Sequence, residues 1–189
     1  MATVGLAIQI ASPSVAQADE VKLLAQGEAS LAAQYLAIQK ATQSIDVINY
    51  QLNPCDTSGQ LLVNTLAAKA RSGVRVRMIL DAHGLSLENN QELQLQLHKF
   101  LQTNGVELRF YNASAHSGGG PNFRSHIKLL LVDPDSANSV YFASGRNWAD
   151  SYFGLSQKLN YIDRDLMITG PSAQTAKAGL DRKSTRLNS

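Results

Sequence analysis

Residues 126–147 read His126-Ile127-Lys128-Leu129-Leu130-Leu131-Val132-Asp133-Pro134-Asp135-Ser136-Ala137-Asn138-Ser139-Val140-Tyr141-Phe142-Ala143-Ser144-Gly145-Arg146-Asn147. Two apolar runs, His126 to Val132 and Ser139 to Ala143, flank the turn-rich Pro134 to Asn138, which predicts two short strands joined as a hairpin. His126 and Lys128 are two apart and so share a strand face, while Asp133 has the opposite parity and stands where the strand ends. An imidazole beside an ammonium suits a phosphodiester: the neutral His can attack phosphorus and the Lys can neutralise the non-bridging oxygens. His126, Lys128 and Asp133 are the candidate catalytic set, with Asp133 expected to fix the turn or back the site rather than to touch phosphate. Downstream, Gly145 would let the backbone approach a ligand closely, and the Asn147 amide could donate to a phosphoryl oxygen.

Outward from this stretch the chain alternates β-rich runs with helical patterns. That alternation predicts an α/β fold with a mixed, mostly parallel sheet and helices on both faces. Further strands are expected at Val21 to Leu24, Ser44 to Leu52, Val74 to Leu80, Val106 to Tyr111 and Ile162 to Thr169. Helices are expected over Glu28 to Thr42 (apolar Leu31, Tyr35, Leu36, Ile38), through Leu61, Leu62, Leu66 and Ala70 up to Gly73, and over Leu87 to Leu101 (Leu93, Leu97, Leu101). A last helix starts at Gly170-Pro171-Ser172. Asn112 to Ser125 reads as a loop, and its Gly118-Gly119-Gly120 lacks the following helix and Lys of a phosphate-cradling loop, so it supplies flexibility.

The chain has 189 residues, 44% hydrophobic and 17% charged, with a single cysteine, Cys55. This is one ordinary globular domain with a sizeable core, and it excludes a disordered tail, a collagenous repeat and a disulfide scaffold. No run approaches the roughly 18 apolar residues of a membrane span, so membrane contact would be peripheral. The net charge of +2 comes entirely from the last nine residues, which leave 14 basic and 14 acidic side chains up to Leu180. Charge alone therefore gives no footprint for a polyanion.

The ends differ from the body. Asp181 to Ser189 break the preceding amphipathic pattern and match, residue for residue, a translation of a widely used short-read sequencing adapter; residues 181–189 are read as an artefactual tail, and the chain as truncated there. Val4 to Ala11 is a short apolar run followed by Ala16-Gln17-Ala18, without a basic residue before Lys22, so residues 1–18 read as the remnant of an export signal. Residues 19–180 are the domain proper, expected in a bacterial cell envelope, periplasmic or secreted.

With His126-x-Lys128-x4-Asp133 and Ser144-Gly145-Arg146-Asn147 in place, the chain resembles the phospholipase D superfamily. The likeness extends through Ser44-Ile45-Asp46-Val47, Asp56-Thr57-Ser58-Gly59, Ser72-Gly73-Val74-Arg75-Val76-Arg77 and Asp163-Arg164-Asp165, from about Val21 to Ala178. Gly145 to Phe153 is similar to the bacterial lipid-acting branch that includes cardiolipin and phosphatidylserine synthases. One departure is the ten residues between Asp133 and Ser144, where the family has about six. The resemblance implies one lobe of a two-lobed fold and a transfer through a phosphohistidine that needs no metal or cofactor. It also implies a second His, from a second motif, as acid and base. His83, His98 and His116 lack the spacing to supply it. The second motif would come from a missing C-terminal half or from a second copy of this chain, as in the small nucleases of the superfamily; truncation is the favoured reading.

The expected substrate is a phospholipid rather than nucleic acid. The rivals are a dimeric endonuclease and a non-catalytic lipid- or partner-binding pseudoenzyme. Asp163 is expected as a carboxylate orienting the catalytic His or Lys, against a plain ion pair with Arg146 or Arg164. His83 and His98 read as surface residues, Trp148 as pocket wall or packing, and Cys55 as inert.

Overall fold

A computed structural model describes residues 18–86, 91–111 and 124–186. His116, the three consecutive glycines and residues 1–17 of the export-signal reading lie outside the described residues. The elements run β1 (Glu20–Leu24), α1 (Gly27–Lys40), β2 (Ser44–Asn49), α2 (Thr57–Arg71), β3 (Arg75–Asp81), α3 (Ala82–Ser86), α4 (Gln91–Thr103) and β4 (Val106–Tyr111). Then follow β5 (Leu129–Val132), β6 (Val140–Ser144), α5 (Asp150–Phe153), β7 (Asp165–Thr169) and α6 (Ser172–Arg186). All seven expected strands are present, in one sheet of order β1-β7-β6-β5-β2-β3-β4.

The sheet is mixed, but the expectation that it is mostly parallel is corrected. Only β2–β3 and β3–β4 pair in parallel; β1–β7, β7–β6, β6–β5 and β5–β2 are antiparallel. The reason is connectivity. Parallel neighbours need a helical crossover, which α2 and α4 supply, whereas β5, β6 and β7 follow one another through a hairpin and a short excursion. Two small helices, α3 and α5, had no periodicity long enough to announce them.

Alternation along the strands separates two layers. Ile45, Val47, Val76, Met78, Leu80, Leu130, Val132 and Phe142 join Ile38, Leu62, Leu66 and Leu101 in the main core beneath α1, α2 and α4. On the opposite face Ile48 and Ile79 pack with Leu180 of α6. Helix α6 continues through Arg186, past the point where the sequence pattern breaks, and Arg77 there meets Asp181 at 2.7 Å as well as Asp46 at 2.6 Å. Among the described residues no helix is long and apolar enough to cross a membrane.

Helix α1 departs from its expected apolar stripe. Leu36 is 52% exposed, while Ser30 and Gln34 are buried. Leu31 and Ile38 are buried as expected, but between them the inner face is polar: Gln34 accepts from Trp148 Nε1 at 3.0 Å and donates to Ser30 at 3.1 Å, and Ser30 donates to Asp165. Trp148 is thus packing, 2% exposed, and not a pocket wall. His98 is half-buried against the edge of Phe110 rather than free on the surface. Cys55 is exposed and unpaired.

Asp133 is placed at the opposite end of β5 from His126 and Lys128, so the three candidates are not brought together. It has φ 45°, a left-handed conformation that Asp tolerates. Its carboxylate accepts from the backbone N–H of Thr42, Gln43 and Ser44, each at 2.8 Å, and from the Thr42 hydroxyl at 2.9 Å. It therefore clamps the hairpin to the start of β2. Burial alone would raise its pKa, but these bonds outweigh burial and hold it below the ordinary carboxylate value. A folded-state pKa below the unfolded one means stabilisation that is complete above the unfolded value of about 3.9 and is lost as pH falls through the folded value. Asp133→Asn is expected to cost about 2–3 kcal/mol at neutral pH. Urea midpoints measured down through the carboxylate range should converge with the wild type as the pH falls; a constant gap would refute the clamp.

Candidate active site

The end of the sheet where β2 and β3 finish and β5 begins gathers the titratable groups. Ile48 pairs with Leu129, so the extended segment ahead of β5 runs alongside the last residues of β2. His126 and Lys128 lie on that segment rather than within the strand. The Lys128 carbonyl accepts from Ser144 N at 3.0 Å, which keeps the segment in line with β6. The segment is also tied from the other side, because Ser125 N donates at 2.6 Å to Asp81, buried at the end of β3. The other Asp81 oxygen accepts from His83 N at 2.9 Å and Gly84 N at 3.3 Å, capping α3.

Lys128 is 7% exposed and its Nζ stands 3.0 Å from both Nδ1 and Nε2 of His126. An ammonium equidistant from the two nitrogens is shared by the ring instead of being bound to one lone pair. Tyr50 walls the pair: its ring centroid is 4.7 Å from that of His126, and Lys128 Nζ is 5.8 Å from it. The Tyr50 hydroxyl in turn meets His83 Nδ1 at 3.3 Å. Gly84 is required beneath this wall, since a Cβ there would fall 1.8 Å from the Tyr50 carbonyl oxygen.

Desolvation and the Lys128 charge push the His126 pKa below its ordinary value, while Asp81 and Asp163 pull it partly back. The Lys128 pKa is lowered by burial, again opposed by Asp163. At neutral pH the imidazole is neutral and nucleophilic beside a cation, the state a phosphodiester needs. The expected result is an NMR titration of His126 with its midpoint below the ordinary histidine value of about 6.5. The midpoint should rise in Lys128→Ala and fall further in Asp163→Asn. Opposite movements would break the electrostatic assignment.

Gly145 is corrected in its partner. The close approach it permits is to Asp163, whose Oδ1 would lie 1.9 Å from an added Cβ, and not to open space for a ligand. Asp163 is half-buried, and its negative charge favours the protonated forms of His126 and Lys128. It makes no ion pair with Arg146. That guanidinium, 2% exposed, instead pairs with Asp165 at 3.1 Å and donates to the carbonyls of Leu24, Ala25, Tyr152 and Asp163. The Arg164 guanidinium donates to the Asp163 carbonyl at 2.9 Å, and its backbone N–H donates to Asp163 Oδ1 at 2.8 Å.

Asn147 is also placed differently from expectation. It is 2% exposed and its amide donates to Gln51 Oε1 at 3.3 Å. Around it the chain forms a short parallel bridge between Leu52 and Trp148, with Trp148 N on the Gln51 carbonyl at 3.0 Å. Its amide holds the floor of the site through Gln51 and keeps a second N–H donor. Tyr152 completes the group: its pKa is raised by burial and by Tyr161, Asp163 and Tyr50, against an opposing hydrogen bond with Asn147. Tyr50, Asp81 and Tyr152 were not among the sequence candidates. Tyr50 and Asp81 both sit at the carboxyl ends of parallel strands, where α/β folds place their sites, and that signal could have found them. Among the described residues no group of three or more His, Cys, Asp or Glu side chains is placed to hold a metal ion.

Comparison with known sequences shows the family, and comparison with solved structures shows the fold. A family profile described as "Cardiolipin synthase, PLD-like domain" matches residues 36–178. The cardiolipin synthase of Geobacillus kaustophilus (strain HTA426) is 30% identical over 174 residues, covering 90% of this chain and 32% of that protein. Cardiolipin synthase A of Pseudomonas putida (strain GB-1) is 32% identical over 160 residues, covering 81% and 30%. The chain thus spans about a third of the length of these relatives. Among solved structures, NucT from Helicobacter pylori superposes with a TM-score of 0.67 at 14% identity, covering 87% of this chain and 95% of that one. Phosphatidylserine synthase of Haemophilus influenzae Rd KW20 superposes with 0.63 at 18% identity, covering 85% and 36%.

Proposed function

Because the chain belongs to the phospholipase D superfamily, in its cardiolipin synthase-like branch, we propose that it is a catalytic lobe for phosphodiester transfer on phospholipids. The observation that carries the chemistry is the buried Lys128 ammonium 3.0 Å from the His126 ring nitrogens. In the first step one imidazole nitrogen of His126 bonds to phosphorus as the ester oxygen leaves, and that oxygen takes a proton from an acid. In the second step a hydroxyl of water or an alcohol loses its proton to the same group and displaces the imidazole. Lys128 balances charge on the non-bridging oxygens in both steps.

The acid and base must be a group other than His126, which is committed to phosphorus; the family resemblance supplies a second imidazole for it. The relatives, three times as long, support a second motif-bearing lobe as its source. The rival reading is a homodimeric nuclease, favoured by one observation: a solved chain of nearly this size is covered over 95% of its length. The lipid reading is preferred on the cardiolipin synthase identities and on the neutral charge balance to Leu180, which offers no counterion-release surface for DNA. Incubating the paired enzyme with phosphatidylglycerol and, separately, with plasmid DNA is expected to show lipid turnover. Nicking without lipid turnover would reverse the assignment.

A further inference from the structure

Asp81 ends β3 only 1% exposed, and the two transfer steps above leave its carboxylate unused. Its oxygens accept from two separate places: one from Ser125 N at 2.6 Å, the other from His83 N at 2.9 Å and Gly84 N at 3.3 Å. The start of a short helix can be capped by the single side-chain oxygen of a serine, threonine or asparagine. Two acceptor oxygens are needed only where two sets of donors must be joined. An amide could not do this, because its NH2 would be set against one of the backbone N–H groups. A buried charge is costly unless it is hydrogen-bonded, so the junction, rather than the cap, is what the charge serves.

The junction joins both sides of the nucleophile. Ser125 leads directly into His126, and its hydroxyl separately accepts from Lys183 of α6, a contact that bears on the side chain and not on the backbone. On the other side, α3 meets Tyr50 twice. His83 Nδ1 stands 3.3 Å from the Tyr50 hydroxyl, and Gly84 lies so close to the Tyr50 carbonyl that a Cβ would fall 1.8 Å from its oxygen. The Tyr50 ring in turn stands 4.7 Å from the His126 ring. The contacts therefore close a circuit, from Asp81 through Ser125, His126, Tyr50 and α3 back to Asp81. His126 is itself exposed, so burial does not fix its imidazole. The circuit does, by holding both the backbone that carries the ring and the aromatic surface against which it rests.

We infer that Asp81 is a positioning residue for His126, fixing the line along which the imidazole approaches phosphorus. This rests on the reading of His126 as the nucleophile and adds what sets its orientation.

The test is Asp81→Asn in the enzyme assembled with its second motif, assayed with bis(p-nitrophenyl) phosphate, together with NMR of the His126 ring protons in the chain. A misplacement of about 1 Å costs on the order of 10²-fold in rate, so kcat is expected to fall by about that factor while KM changes little. The His126 ring signals, displaced in the wild type by the ring current of Tyr50, should move toward those of a free histidine. A cap that serves folding alone would lower the melting temperature and leave the kcat of the folded protein and the His126 signals unchanged, and that result overturns the inference. Tyr50→Phe cuts the same circuit while keeping the ring, so it serves where Asp81→Asn does not fold. It should lower kcat about three- to tenfold, the worth of one hydrogen bond, and move the His126 signals in the same direction; wild-type values for both overturn the inference. His126→Ala in the same assay separates the premise from the inference. An inactive His126→Ala beside a fully active Asp81→Asn would keep the nucleophile and reject the positioning role. An active His126→Ala, with ring signals that still depend on Asp81, would keep the anchor and reject the nucleophile.

Discussion

Replacing Arg146 by Ala is expected to lower the melting temperature by roughly 10 °C, the largest stability effect of any single change at the site. The side chain is 2% exposed, its partner Asp165 is fully buried, and four backbone carbonyls besides that carboxylate receive its protons. Truncating one member of such a buried pair leaves the other charge uncompensated and costs about 3–5 kcal/mol. In a domain of this size each kcal/mol moves the midpoint by about 2–4 °C. Asp165→Ala should cost as much, because it also releases the Ser30 and Ser144 hydroxyls and the Gly145 amide. The double variant should cost far less than the two combined, since each single change already breaks the same network. Thermal unfolding followed by circular dichroism measures this. Shifts of no more than about 2 °C would show that water replaces the lost partners and that the network is incidental.

That network also shows where the sequence stopped being readable. His126 and Lys128 were legible because their spacing of two and the following apolar run fix a shared face. The strands were legible for the same reason: alternation and β-branched runs are local signals. Ser30 and Gln34 were not. A polar residue on the inner face of a helix looks like a break in the stripe, and its meaning depends on Asp165 and Trp148, more than a hundred positions away. The strand directions were misjudged similarly, since pairing depends on which connections hold a crossover helix, and β5, β6 and β7 hold none that crosses.

Gly145 and Asn147 illustrate a subtler limit. Both belong to the motif, and both lie where the motif led one to look. The motif could not say that glycine there makes room for the Asp163 carboxylate, nor that the asparagine amide is held by Gln51. Residue type reported that contact is close at Gly145, and only the fold identifies the contacting group. Tyr50 was hidden for the opposite reason. An aromatic residue ending a buried strand reads as core, and only the approach of the segment ahead of β5 turns it into the wall of a site.

Replacing His126 by Ala is expected to abolish turnover of a phosphodiester, by at least about 10⁴-fold, in the enzyme assembled with its second motif. No other described side chain offers a neutral imidazole beside a buried ammonium. His83 is the nearest alternative by placement, but its Nδ1 meets the Tyr50 hydroxyl at 3.3 Å. Lys128→Ala should cost less, roughly 10²–10³-fold, because it removes charge stabilisation and leaves the nucleophile in place. The chain by itself should be inactive at every concentration at which it is monomeric, since one imidazole cannot hold phosphorus and also protonate the leaving oxygen. Sizing the purified chain and assaying it across a dilution series separates the cases. Activity that falls with dimer dissociation would put the second His126 across a two-fold axis and favour the dimeric reading. Activity in the monomer would refute the need for a second imidazole, and activity in His126→Ala would remove His126 from the reaction altogether.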